Sequence, residues 1–193
     1  MKKLLIIAIM AMGYFGISKA QEYKEGLIYD LTGNVKEMKL STKNSFLKTH
    51  VKFQNNGKCK KSMTFFDDEN YPLGYDLSTN VMNFSLSQKV DYDEQHRVSL
   101  VTLKSSQDGG TTQTTTHHYT DPNFPTQIGR SVFSQTDKNG EVLADCEYSG
   151  YVYDDNGNWT SRQVKQTVTQ INKKGGSMVY NTQYTETRTI KYF

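Results

Sequence analysis

Tyr153-Asp154-Asp155-Asn156-Gly157-Asn158-Trp159 is the stretch that decides the fold, because it recurs along the chain as a turn motif. The motif begins with an aromatic residue followed by an acidic or amide residue. A glycine stands three positions after that polar residue, and an apolar residue stands two positions after the glycine. Close copies begin at Tyr29 and at Phe53, the latter with amides in place of acids. The Asp or Asn side chain can cap its own turn, and glycine adopts the left-handed conformation that closes it. The motif therefore predicts β-hairpins.

The turn motif recurs often enough to set the architecture. Its glycine position is occupied by Gly33, Gly57, Gly109, Gly140, Gly157 and Gly175, and in weaker copies by Asn70, His96 and Asn123. Most successive positions lie 13 to 18 residues apart, with intervals of 24 and 26 where a turn is unrecognised. A strand of roughly 8–12 residues plus a short turn fills the regular interval. We predict an all-β fold, an antiparallel β-meander of about 10–12 strands forming a curled sheet or a partly open barrel.

The composition also favours strands with one wet face. From Gln21 onward the chain has one alanine, Ala144, among many Thr, Tyr, Val and Phe residues, which disfavours helices. Only about 31% of these residues are apolar, so the core must be thin. In the last segment, apolar and aromatic residues at even-numbered positions are expected to lie on one face of a strand, the inner face: Tyr180, Tyr184, Ile190 and Tyr192. Glu186 and Arg188 are also at even-numbered positions, so they are charged exceptions on this apolar face.

Residues 1–20 have the features of a secretory signal peptide. Lys2 and Lys3 precede an apolar stretch from Leu4 to Ile17, and small residues flank Lys19 before the expected cleavage. We therefore expect residues 21–193 to form a single exported domain, periplasmic or extracellular, without a membrane span. An uncleaved N-terminal anchor is the alternative.

Charge gives no support to nucleic-acid binding. The whole chain carries a formal charge of +3, but three lysines lie in the leader, so residues 21–193 balance 20 basic against 20 acidic side chains. Electrostatic binding to a phosphate backbone needs a basic excess or stripe. We expect no nucleic-acid partner.

The turn motif resembles the bacterial YD-repeat group, the hairpin units of RHS-type wall and toxin-shell proteins. The strongest match runs from Tyr153 to Thr160 and continues to Arg162, and Tyr29-Asp30 with Gly33-Asn34 is the next. The family's units are nearer twenty residues long and carry a second glycine, which this chain mostly lacks. The resemblance implies hairpins and a cell-envelope setting, and it transfers no catalytic residue.

Cys59 and Cys146 are the two cysteines of the chain. In an oxidising compartment they could form a disulfide, which the chain-entropy treatment values at about 4 kcal/mol for so long a loop. They could equally be two small buried apolar residues. The sequence leaves both alternatives open.

Catalytic and metal-binding patterns are weak. His117 and His118 are adjacent, so on a strand they point to opposite faces and cannot readily chelate one metal. The acidic pairs at Asp67, Asp91 and Asp154 fall in or beside predicted turns, where Asp caps the backbone. The sequence also contains no recognised catalytic or phosphate-binding signature. We predict a protein that is not an enzyme and uses no metal or cofactor.

The aromatic residues supply the candidates for a binding site. Tyr151, Tyr153 and Trp159 cluster around one turn, and such rings stack on sugars or anchor protein partners when exposed. The alternative is that they form the core and clamp the hairpins.

Two functions follow from these observations. The first is a secreted, non-enzymatic structural or interaction protein of the cell envelope or extracellular space, with an unknown protein or glycan partner. The second is a carrier of a small glycan or lipid, whose barrel pocket is lined by Tyr and Phe. An enzyme of unrecognised type ranks third. Exposed sheet edges would also invite self-association.

Overall fold

A computed structural model describes residues 23–42, 49–79, 84–107, 110–120 and 127–193. The expected signal peptide and the turn positions Gly109 and Asn123 lie outside these ranges. A short 3₁₀ helix, Glu25–Tyr29, precedes the strands. The strands of the described ranges are β1 Val35–Thr42, β2 Thr49–Lys52, β3 Phe65–Phe66, β4 Pro72–Thr79, β5 Phe84–Tyr92, β6 Val98–Ser105, β7 Thr111–Tyr119, β8 Ile128–Asp137, β9 Gly140–Tyr153, β10 Trp159–Asn172 and β11 Ser177–Tyr192.

All of these strands belong to one antiparallel sheet. Its order is β2-β1-β11-β10-β9-β8-β7-β6-β5-β4-β3, so β3 to β11 form a continuous meander. The first strand, β1, then pairs with the last, β11, through Val35–Thr42 and Glu186–Tyr192. In the described ranges the end strands β2 and β3 do not pair with each other, so the sheet does not close into a barrel. The predicted antiparallel meander is confirmed, in its curled rather than its closed form.

Most of the hairpin turns have the same pattern of hydrogen bonds. The N–H of Asp154 donates to the carbonyl of Asn158, and the N–H of Gly157 donates back to the carbonyl of Asp154. Oδ1 of Asp154 also accepts from the amides of Asn156 and Asn158. The side-chain bonds recur at Asp67, Asp93 and Asn172, and the backbone bonds also at Gln54. The fourth residue of each turn has a positive φ: 83° at Gly57, 66° at Asn70, 58° at His96, 78° at Gly157 and 81° at Gly175.

Two of the predicted turn glycines have other roles. Gly33, with a φ of 74°, lies between the 3₁₀ helix and β1 and does not close a hairpin. Gly140 is the first residue of β9 and pairs with Asp137, and its φ of 146° lies outside the left-handed helical region. A Cβ at Gly140 would collide with the carbonyl oxygen of Ile171. Glycine is therefore needed there for the close approach of β10.

The two faces of the sheet differ in chemistry. We call the face that packs against the 3₁₀ helix the inner face, and it carries buried Met38, Trp159 and Val164. Leu31, Val35, Met38, Val51 and Phe53 form one apolar cluster at the β1–β2 end. The opposite, outer face carries exposed ion pairs such as Arg130–Asp145 and Lys165–Glu147. One face is thus buried and the other is wet.

The 3₁₀ helix shows that the sheet is curled. At its start, the Glu25 carboxylate accepts from the amide of Cys59 at 2.6 Å and from the hydroxyl of Thr64 at 2.9 Å, beside the two ends of the sheet. At its other end, Asp30 contacts Arg188 on β11, the third strand in the sheet order. In a flat sheet, ten strand spacings of about 4.8 Å would separate β2 from β3, so one carboxylate can contact groups beside both strands only if the sheet bends.

Candidate functional site

A buried group of charged residues lies on the inner face, where the 3₁₀ helix meets the sheet. Nε of Arg162 donates to Oε2 of Glu186 at 2.7 Å across the β10–β11 pair. Arg188 donates to the carbonyl of Asp30 at 3.0 Å and to its carboxylate at 3.3 Å. Arg162 also lies 4.0 Å from the Asp30 carboxylate. Two guanidinium groups and two carboxylates therefore balance each other, as burial of charge requires.

Aromatic rings enclose this charged group. The Arg188 guanidinium carbon lies 3.4 Å from the ring centroid of Trp159, and that of Arg162 lies 4.1 Å away. Arg162 also lies 3.8 Å from the ring centroid of Tyr148. Cation–π contacts of this kind contribute about 2 kcal/mol when desolvated. The side chains thus form a packed polar layer beneath the 3₁₀ helix.

Both guanidinium groups remain charged at neutral pH. Burial lowers the pKa of Arg188 to about 10, against the opposing effect of Asp30. Burial would also lower the pKa of Arg162, but the nearby Glu186 carboxylate and the Tyr148 and Asp30 groups raise it above its usual range. For the phenol of Tyr148, burial raises the pKa, so this side chain stays neutral. The arrangement pairs opposite charges, although Nε of Arg188 has no hydrogen-bond partner among the described residues, and it suits a structural role.

The structure brings the predicted ligand-binding residues together, with Tyr151 and Tyr153 half-buried and Trp159 buried. The rings of Tyr151 and Tyr153 stack 5.7 Å apart, and Tyr151 meets Trp159 edge-on at 6.2 Å. The hydroxyl of Tyr151 donates to the carbonyl of Ile128. Trp159 has no exposed surface and is covered by guanidinium groups on the inner face. A sugar ring has no access to Trp159 here, so we correct its assignment from ligand platform to core residue.

The two cysteines are both free thiols. Cys146 is buried on β9, where Gln166 contacts its sulfur at 3.4 Å, whereas Cys59 is half-buried and pairs with Phe53 beyond the end of β2. At least four strand spacings of about 4.8 Å separate the two positions across the sheet. A disulfide needs its Cα atoms within roughly 7 Å. The disulfide alternative is therefore wrong, and the two cysteines are separate small packing residues.

A pocket of about 360 Å³ lies on the inner face between the 3₁₀ helix and strands β4–β5. Its apolar and aromatic wall comprises Ile28, Tyr29, Met63, Tyr75, Leu77 and Leu86. Burial, with the nearby Cys59 and Glu25 groups, raises the pKa of Tyr29 to about 12, and burial also raises that of Tyr75. Both phenols are therefore neutral hydrogen-bond donors at physiological pH.

A second concavity, which we call the outer groove, lies on the outer face near β3. Its volume is about 630 Å³, and it is lined by Phe65, Leu73, Lys89, Asp91, Leu100 and Lys104. The strand register places Lys89 opposite Thr102 and Asp91 opposite Leu100, so these residues share one face. Phe65 is 62% exposed and Leu73 45% exposed. This groove was not predicted from the sequence, although the adjacent aromatic residues Phe65 and Phe66 were a visible signal.

Among the described residues, no three His, Cys, Asp or Glu side chains are grouped as metal ligands. Those residues likewise contain no helix of the length and apolarity needed to span a bilayer. The carboxylates of Asp67, Asp93 and Asp154 cap their own turns.

Comparison of the chain with protein families, with curated proteins and with solved structures finds no match. The resemblance to YD-repeat proteins stays a prediction from the turn motif.

Proposed function

We propose that this chain is a secreted, non-enzymatic interaction protein of the cell envelope, built from YD-like hairpins, and that the outer groove binds a partner protein. One observation carries the proposal: a large aromatic side chain, Phe65, is mostly exposed beside a concave apolar surface. Exposed apolar surface with a polar rim is typical of protein-interaction sites.

The chemistry of the groove defines the kind of partner. Phe65, Leu73 and Leu100 offer apolar contact, and charged residues surround them. Lys89 and Asp91 are paired at 2.5 Å, while Lys104 adds a cation. A segment with an apolar anchor and a nearby acidic residue is complementary to this surface.

The proposal is tested by crosslinking in the producing cell. A photoreactive phenylalanine analogue at Phe65 should yield a discrete protein adduct that Leu73→Ser weakens. The same analogue at Val152, which is 56% exposed on β9, serves as the control. A discrete adduct at Phe65 alone is the expected result. Equal labelling at both positions, or adducts only with glycan, would contradict a protein partner at the groove.

The inner-face pocket favours a second candidate function, that of a small-ligand carrier. The wall of Tyr29, Tyr75, Leu77 and Leu86 offers apolar contact with phenol donors, as ligand pockets do. Native mass spectrometry of protein purified from its producing cells should then reveal a retained small molecule. Leu86→Trp, which fills the pocket, should remove that mass, whereas Leu100→Trp on the outer face should not. Retention of no ligand by the wild-type protein would count against this candidate.

A further inference from the structure

Among the described residues, strand β11 has a long side without a strand partner. It runs from Ser177 to Tyr192, but β1 pairs only with its second half, from Glu186 onward. Among the described residues, the segment Ser177–Thr185 therefore has a strand partner only on the β10 side. We call this segment the β11 edge. Alternate residues of such an edge direct their backbone N–H and C=O groups away from the sheet.

The β11 edge lacks the usual protection against strand pairing. Ser177 to Gln183 are all exposed, including Met178, Val179 and Tyr180 at 55%, 58% and 46%. The nine residues include no charged side chain, proline or glycine. Their pairing with β10 also runs without a register shift, so no bulge bends the edge. Natural edges are normally blunted by charge, proline, bulges or shortness.

The other ends of the sheet are protected in these ways. The β2 edge is four residues long and carries exposed His50 and Lys52. Strand β3 has two residues and a register shift against β4. Beyond β3, the β4 segment Tyr75–Thr79 also has a described partner only on the β5 side, but it is five residues long and carries Asp76. Its greater length and lack of charge make the β11 edge the better suited to extending the sheet.

We infer that the β11 edge pairs antiparallel with the β11 edge of a second copy of this chain, forming a two-fold dimer with a continuous sheet. Nine paired residues on each chain give a contact about 30 Å long. Since each copy uses the same edge, the contact is isologous and the assembly closes at two chains. The inference stands independently of the proposed partner at the outer groove.

The two β11 edges are complementary to each other when the two-fold axis of the dimer passes beside Asn181. Ser177 then lies opposite Thr185, Met178 opposite Tyr184, Val179 opposite Gln183, and Tyr180 opposite Thr182. Apolar and aromatic residues meet on one face, hydrogen-bonding amides meet at the axis, and no like charges face each other. Because the β11 edge carries no charge, its partner needs no complementary charge. A second copy of the same edge meets this condition.

Analytical ultracentrifugation of the purified protein at increasing concentration tests the inference. The wild-type protein should sediment as a monomer–dimer equilibrium. Asn181→Lys brings two cations together at the axis and should raise the dimer Kd about tenfold or more. Gln170→Lys adds the same charge at an exposed position on β10, one strand inside the edge, and should leave the Kd within about twofold. A wild-type protein that stays monomeric, or an Asn181→Lys variant that dimerises as strongly, would overturn the inference.

A crosslinking experiment checks the register. Directly opposed residues in antiparallel strands have Cα atoms about 4.5–5.5 Å apart, within disulfide range. In a Cys59→Ser background, Asn181→Cys should therefore form a covalent dimer on mild oxidation, and Gln170→Cys should not. Dimers in solution without a crosslink at position 181 would place the interface elsewhere and overturn the proposed edge. Far-UV circular dichroism of each variant confirms that it is folded.

Discussion

Nε of Arg162 donates a 2.7 Å hydrogen bond to Oε2 of Glu186, and both residues are less than a tenth exposed. The pair links β10 and β11, two of the three longest strands, on the inner face next to Trp159. A buried ion pair adds little over an apolar pair of the same shape, but losing one member leaves an uncompensated charge.

Glu186→Gln should therefore lower the free energy of unfolding by about 3–5 kcal/mol, measured by urea denaturation. Glu147→Gln is the matched control, because Glu147 pairs with Lys165 on the outer face with both side chains largely exposed. The control should change stability by about 0.5 kcal/mol or less. Equal effects of the two substitutions would show that the Arg162–Glu186 pair is not buried as described.

Glycine substitutions should separate backbone strain from steric collision. Gly157 has a φ of 78° with open space around it, so Gly157→Ala should cost about 1–2 kcal/mol. Gly57 has a φ of 83°, but a Cβ there would collide with the carbonyl oxygen of Tyr23. Gly57→Ala should therefore be clearly the more destabilising in thermal unfolding. Asp155→Ala, at an exposed position of the same turn, is the control and should be nearly neutral. A reversed order of the glycine variants would contradict the close approach at Gly57.

The turn chemistry was predictable because it is local. Asp154 caps amides two and four residues ahead, and this geometry follows from the residues between them. The pairing of β1 with β11 joins strands from opposite ends of the chain, and no local pattern encodes it. The spacing of turns therefore predicted the meander, but it did not predict that β1 pairs with β11, the last strand.

The alternation of apolar and polar residues along β11 was most informative at its two exceptions. Glu186 and Arg188 broke the apolar inner face of the last strand, and both are buried there with charged partners. Their partners Arg162 and Asp30 are distant in sequence, so only the assembled sheet pairs them. The same burial explains why Trp159 serves the core, although its sequence neighbourhood suggested an exposed binding site.

His117 should make the protein less stable in mild acid. Burial lowers the pKa of its imidazole below the ordinary value of 6.5, with Arg162 and His118 acting in the same direction and Asp30 opposing them. Below that value the unfolded chain binds a proton that the folded protein resists. Stability should thus be full above about pH 6.5 and fall as the pH drops towards the lower, folded pKa.

His117→Gln should flatten that decline in the unfolding free energy measured between neutral and mildly acidic pH. His118→Gln is the adjacent control, since His118 is exposed on the outer face. An identical pH dependence for wild type and His117→Gln would contradict the burial of His117.

Thiol chemistry should report two free cysteines. Unfolded in denaturant without reductant, the protein should take up two alkylating groups per chain, because Cys59 and Cys146 are unbonded. In the folded protein, Cys146 should react more slowly than Cys59, because it is the more buried and burial raises the pKa of its thiol. Mass spectrometry of peptides from timed alkylation measures both rates. Alkylation that requires prior reduction would contradict the free thiols.

The sheet curls around the 3₁₀ helix and holds it through Asp30 and Arg188. Hydrogen–deuterium exchange of a peptide covering residues 25–31 is the sharpest test of this contact. We expect slow exchange in the wild-type protein, where the amides of Asp30 and Leu31 are hydrogen-bonded, and faster exchange in Arg188→Met. Exchange in the wild type as fast as in an unstructured peptide would show that the sheet does not hold the helix.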